Sequence, residues 1–265
     1  MEAKDRIIVA LDVDSLEKAK VLVEQLAPYV SCFKAGLELL TSEGTPKVVN
    51  AIHEWGGQVF YDGKFNDIPN TVAAAARAVT RMGVMMFNIH CLSGSEAMRK
   101  TRETVDKTSE EIELVFANVK PLILGVTILT SLDYKNLVEM GIFEELGYAD
   151  PQELADAQRQ RMENLIACYL AWLAQECGLD GVISSPKEIK AIRRYCQPEF
   201  KIVTPGIRPA WSEKGDQKRV MTPAEAIKEG ADYLVIGRPI IKPPAEIGTP
   251  IDAVRKIAEE IASVL

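Results

Sequence analysis

The stretch Gln58-Val59-Phe60-Tyr61-Asp62-Gly63-Lys64-Phe65-Asn66-Asp67-Ile68-Pro69-Asn70-Thr71 carries an apolar run into a cluster of charges and then into a helix start. Gln58–Asp62 has the β-branched and aromatic content of a strand, and Thr71–Met82 repeats its apolar residues at helical spacing. The unit is therefore strand, charged turn, helix. Working outward, the same alternation recurs from end to end. Strands are expected at Ile7–Leu11, Cys32–Ala35, Met85–Ile89, Leu122–Thr127, Gly181–Ser184, Lys201–Thr204 and Tyr233–Ile236. Helical spacing covers Leu16–Leu26, Ala224–Glu229 and a closing segment, Ile251–Val264. Ser15 stands as a capping residue before Leu16, and Thr222-Pro223-Ala224-Glu225 reads as a capping box with proline at the first helical position.

Eight strands alternating with helices over 265 residues predict an α/β protein of one domain, residues 1–265, closed as a (β/α)8 TIM barrel. An open doubly wound sheet is the alternative, but the chain has no GxGxxG dinucleotide fingerprint. The polar stretch Asp133–Gln160 reads as a loop and helical insertion on the fifth βα unit. In a barrel the active site lies where the βα loops converge at the C-terminal strand ends, so charges there call for a functional reading first.

Composition narrows the partners. A net charge of −7 and 6% aromatic residues argue against a nucleic-acid platform or an anionic membrane surface as partner. No stretch approaches the roughly 18 apolar residues of a membrane span, and the N-terminus lacks a secretory apolar core, so a cytoplasmic protein is expected. Five cysteines without a CxxC pair predict neither a disulfide framework nor a zinc site, and most are expected to be buried apolar residues. No metal site is predicted.

Lys34 interrupts the otherwise apolar Cys32-Phe33-Lys34-Ala35, where it points either into the barrel mouth or out toward the helices. Asp62 and Lys64 project to the same side if the chain stays extended, while Asp67 lies beyond the turn. Two lysines and two aspartates can form an alternating network in which each charge holds its neighbours ionised. A structural ion cluster would be a poor route to stability, because desolvation offsets its attraction. A positioned proton donor is the better reason for it. At the other end, Val203-Thr204-Pro205-Gly206-Ile207-Arg208 and Val235-Ile236-Gly237-Arg238 close strands seven and eight, the usual phosphate site of such barrels. Gly206 and Gly237 permit close backbone approach, and Arg238 can offer a bidentate fork. The polar segment Ser212–Arg219 between them is long enough for a lid. His53 and His90 read as structural, although His90 ends the fourth strand.

Asp62–Thr71 closely resembles the DxKxxDIPNT signature of the orotidine 5′-phosphate decarboxylase family. The likeness extends through Val9–Asp12, Phe33–Gly36, Val126–Ser131, Val203–Arg208, Asp216-Gln217 and Ile236–Ile240. It implies cofactor-independent conversion of orotidine 5′-phosphate to UMP and carbon dioxide, the last step of de novo UMP synthesis, in a homodimeric barrel. By the resemblance Lys64 protonates C6, Asp62 lies against the substrate carboxylate, and Lys34 contacts the ribose and steadies the charges. Asp67 would reach into the neighbouring subunit's site, and Ile68 and Thr71 of the same motif would bind substrate. Asp12 matches a ribose-contacting position, Thr130 and Ser131 the pyrimidine side, and Arg208, Gln217, Gly237 and Arg238 the phosphate side. Gly63 and Asn66 depart from the commonest pattern, an apolar residue and a histidine. The chain also runs longer around 106–120 and 133–160. Three rivals remain: a magnesium-dependent keto-sugar phosphate decarboxylase with metal ligands near Asp62 and Asp67, a Schiff-base aldolase using Lys34 or Lys64, and a barrel that binds phosphate ligands without catalysis.

Overall fold

A computed structural model describes residues 1–113, 120–142, 156–212 and 220–265. Its strands, β1 (Ile7–Leu11), β2 (Cys32–Ala35), β3 (Val59–Phe65), β4 (Met86–His90), β5 (Leu122–Val126), β6 (Gly181–Ile183), β7 (Lys201–Thr204) and β8 (Tyr233–Ile236), pair in sequence order and close β8 onto β1. Every pairing is parallel. The chain is thus a closed (β/α)8 barrel, and the open doubly wound sheet is excluded.

Strand periodicity sorts the core into two shells. Ile8, Ala10, Cys32, Phe60, Met86, Leu124, Val203 and Val235 fill the inside of the barrel. Their sequence neighbours, among them Val9, Phe33, Phe87, Ile123, Ile202 and Ile236, pack outward beneath the helices. Those helices include α1 (Leu16–Leu26), α2 (Leu37–Glu43), α3 (Thr45–Glu54), α4 (Pro69–Arg81), α5 (Gly94–Glu113), α6 (Tyr134–Glu139), α7 (Asp156–Glu176), α8 (Ile189–Tyr195), α9 (Pro223–Glu229), α10 (Arg238–Ile241) and α11 (Pro250–Ala262). The expected Thr222 box is formed: Thr222 Oγ1 accepts from the Glu225 N–H and the Glu225 carboxylate accepts from the Thr222 N–H. Ser15 does occupy the N-cap of α1, but its hydroxyl makes no cap bond, and Glu43 of α2 accepts from the Leu16 N–H instead.

The fifth unit differs from its expected outline. Asp133 caps the short helix α6 through a reciprocal bond pair with Asn136, so the insertion begins in ordered helix. Its far end is already the outer helix of the unit, because α7 starts at Asp156. Residues 143–155 lie outside the described residues, as do 114–119 of the other long segment. All five cysteines are free and buried, as expected of apolar fillers. Burial pushes the Cys91 thiol up to about 12 and Cys168 to about 11, which leaves both unreactive at neutral pH. No helix among the described residues is long and apolar enough to cross a membrane.

Candidate active site

Lys34 and Asp62 stand on neighbouring strands, and Asp12 follows β1 at the same end of the barrel. Lys34 points inward. Its Nζ lies 3.2 Å from Asp62 Oδ2 and 3.3 Å from Asp12 Oδ1. Lys64 Nζ donates to Asp62 Oδ1 at 2.7 Å. The four residues form the alternating chain Asp12–Lys34–Asp62–Lys64. Asp67 is not in it: the side chain is exposed and its Oδ1 accepts from the Ile68 N–H at 2.7 Å, at the entrance to α4.

The network keeps its charges. Burial favours the neutral forms of Lys34 and Asp62, and opposite charges override it in both. Against the pull of desolvation, Asp62 and then Asp12 hold the Lys34 ammonium above the usual lysine range. Against the push of desolvation, Lys34 and Lys64 hold the Asp62 carboxyl below the usual carboxylate range. At neutral pH Lys34 is therefore an ammonium and Asp62 a carboxylate. Burial, and next the charge of Lys64, keep the His90 imidazole below its ordinary value, so it is neutral at the end of β4.

Asp62 and Lys64 do face the same side, but not by regular extension. β3 runs past Asp62 to Phe65 and shifts register against β4: Tyr61 pairs with Phe87 and Phe65 with Ile89, so the span between pairs is longer on β3. Within the bulge Lys64 has φ 49°, the left-handed region, as no other non-glycine does among the described residues. That conformation costs roughly 1–2 kcal/mol for a residue with a Cβ. Gly63 beside it has no room for a side chain, since a Cβ would collide with the Tyr61 ring.

A cavity of about 250 Å³ opens above this network, lined by Asp12, Lys34, Asp62, Lys64, Thr130, Arg208, Gly237 and Arg238, with Ala10, Phe60, Ile183, Pro205, Gly206 and Val235 completing its wall. Two larger clefts occur elsewhere, one lined by Gln175, Asp180 and Lys201 and one between α4 and α5; neither gathers the charged strand-end residues. Of the positions expected from sequence, eight converge on one cavity. Ile68, Thr71 and Ser131 are exposed and, with Asp67, stand outside its lining. Gln217 and most of the expected lid, residues 213–219, lie outside the described residues. On the phosphate side Gly206 takes φ 78°, a turn that only glycine adopts without strain. A Cβ on Gly237 would stand 3.1 Å from Asp12 Oδ2, so glycine there leaves room for the Asp12 carboxylate. The loop carrying Arg208 is pinned by its N–H donating to the Met221 carbonyl at 3.0 Å. Sequence reading missed Asn88. It sits fully buried on β4, and its signal was a carboxamide inside the apolar Met86-Phe87-Asn88-Ile89. Among the described residues no three His, Cys, Asp or Glu side chains stand together as metal ligands.

Chemically this is the site of a barrel enzyme for a small anionic ligand: fixed cations and an anion at one end of a small cavity, arginines at the other, on the strand-end face where barrel enzymes act. The family model described as "Orotidine 5'-phosphate decarboxylase / HUMPS family" matches residues 5–249. The chain belongs to that family. It is 48% identical over 261 residues to the orotidine 5′-phosphate decarboxylase of Syntrophomonas wolfei, covering 98% of this chain and 99% of the relative. It is 49% identical over 265 residues to that of Moorella thermoacetica, covering 100% and 95%. Among solved structures, orotidine 5′-phosphate decarboxylase from Lactobacillus acidophilus superposes with a TM-score of 0.73 at 29% identity, covering 96% of this chain and 98% of that one.

Proposed function

We propose that this chain decarboxylates orotidine 5′-phosphate to UMP and carbon dioxide, the closing step of UMP synthesis, as a cofactor-independent cytoplasmic homodimer. The observation that carries the reading is the Asp12–Lys34–Asp62–Lys64 network at one end of a cavity whose other end holds Arg208 and Arg238. Relatives bearing that name over nearly the full chain support it.

The phosphate is held by Arg208, Arg238 and the Gly237 turn; Gln217, which the family motif assigns to the same side, lies outside the described residues. Asp12 and Lys34 hold the ribose, and Thr130 and Ser131 the pyrimidine. The carboxylate at C6 then lies against Asp62. When the bond from C6 to the carboxyl carbon breaks, its electron pair stays on C6 and carbon dioxide departs. No adjacent π system accepts that pair, so stabilisation comes from charge already in place. The Lys64 ammonium beside C6 interacts more strongly with the carbanion than with the bound substrate, and that difference is what accelerates the step. Lys64 gives its proton to C6 and recovers one from solvent. Phosphate contacts, remote from the breaking bond, supply the binding energy that organises the network.

Asp67, Ile68 and Thr71 stand exposed beside the site, which suits a role in the mouth of a second subunit. Against the magnesium-dependent rival, both oxygens of Asp62 already face ammonium groups, leaving a poor place for a divalent cation. The test is product analysis in D2O by proton NMR. UMP equimolar with the orotidine 5′-phosphate consumed, and deuterated at C6, is expected; nucleotide recovered unchanged from folded protein would refute the proposal.

A further inference from the structure

Asn88 has a place in this machinery that its strand does not announce. Along β4, Phe87 and Ile89 pack outward with the helix-side core, while Asn88 points into the barrel with no solvent exposure. A carboxamide there is costly to desolvate unless it is hydrogen-bonded. It is bonded at both ends. Nδ2 donates to Asp62 Oδ1 at 2.6 Å, and Oδ1 accepts from the Lys64 backbone N–H at 2.7 Å. The two bonds fix the amide's orientation, since a flip would set oxygen against carboxylate and N–H against N–H.

Those contacts bracket the reacting pair. The N–H that Asn88 accepts from belongs to the residue with φ 49°, at the point where β3 and β4 lose register. A side-chain oxygen thus takes the place of a ladder carbonyl and secures a backbone turn that is otherwise unfavourable. The carboxylate oxygen it donates to is the one that binds the Lys64 ammonium, 2.7 Å away. Asn88 therefore holds Lys64 by its main chain and by the anion that orients its head group. It does not line the cavity, so it reaches substrate only through those two residues.

We infer that Asn88 is a positioning residue for proton delivery: its carboxamide sets the place of the Lys64 ammonium relative to C6. This rests on the proposed decarboxylation. Asn88→Asp keeps the shape and the acceptor for the Lys64 N–H, but turns the donor into an oxygen facing Asp62; Asn88→Ala removes both bonds. Misplacing a reacting group by an ångström costs about 10²-fold in rate, and that is the expected fall in kcat for each variant. UMP affinity, measured by calorimetry, should stay at the wild-type value, because the phosphate contacts are untouched. The count of UMP-binding sites also normalises kcat to folded protein. Variants with wild-type kcat per site, or with UMP binding weakened in proportion to kcat, would overturn the inference while wild-type turnover leaves the decarboxylase reading intact. A wild-type protein inert toward orotidine 5′-phosphate would instead sink that reading itself.

Discussion

Lys64→Ala is expected to lower kcat by about 10⁴-fold, while UMP continues to bind. Two effects are lost with one side chain. A positioned general acid contributes roughly 10²–10⁴ in rate, and a preorganised charge facing the developing anion roughly 10²–10³. They reside in the same ammonium, so the factors do not multiply freely, and the upper part of the first range is the sound expectation. The fold should survive, because Asp62 remains paired with Lys34 at 3.2 Å and bonded to Asn88 at 2.6 Å. Single-turnover decarboxylation with substrate bound at saturation isolates the chemical step. A rate within tenfold of wild type would remove Lys64 from the reaction.

The second large effect comes from mixing subunits. Asp67→Ala and Lys64→Ala are each expected to be nearly inactive alone. If Asp67 serves its partner's site, a dimer of the two variants contains one site with both defects and one site with neither. Random exchange makes half the dimers mixed, so about a quarter of wild-type activity should return. An Asp67 acting in its own subunit leaves every site damaged, and no activity returns. Refolding the two variants together and assaying against each alone distinguishes these outcomes. The exposure of Asp67, Ile68 and Thr71 motivates the test.

The barrel was legible because strand and helix periods alternate without interruption, and β1, β2, β7 and β8 have the bounds that their apolar runs suggest. Lys34 was ambiguous in sequence because alternation in a short buried strand does not say which face is inside; its pairing with Asp12 and Asp62 resolves that. At Asp62 and Lys64 the expected facing held while its expected cause did not. A straight strand ending at Asp62 carries no register shift, and a left-handed lysine has no signature among its neighbours. Asn88 escaped for a related reason: its partners are set by that bulge, across two strands, and nothing local in Met86-Phe87-Asn88-Ile89 points to them. The Ser15 cap failed because Glu43 of α2, 27 residues beyond Leu16, reaches the same helix end. Tertiary contacts override local capping there.

The most direct test of metal-free decarboxylation at this site is the ultraviolet absorbance of orotidine 5′-phosphate with purified protein and excess EDTA. Rapid, complete conversion to UMP at a rate unchanged by the chelator is the expected result. No conversion by folded protein, with turnover of a keto-sugar phosphate appearing only once magnesium is restored, would contradict it.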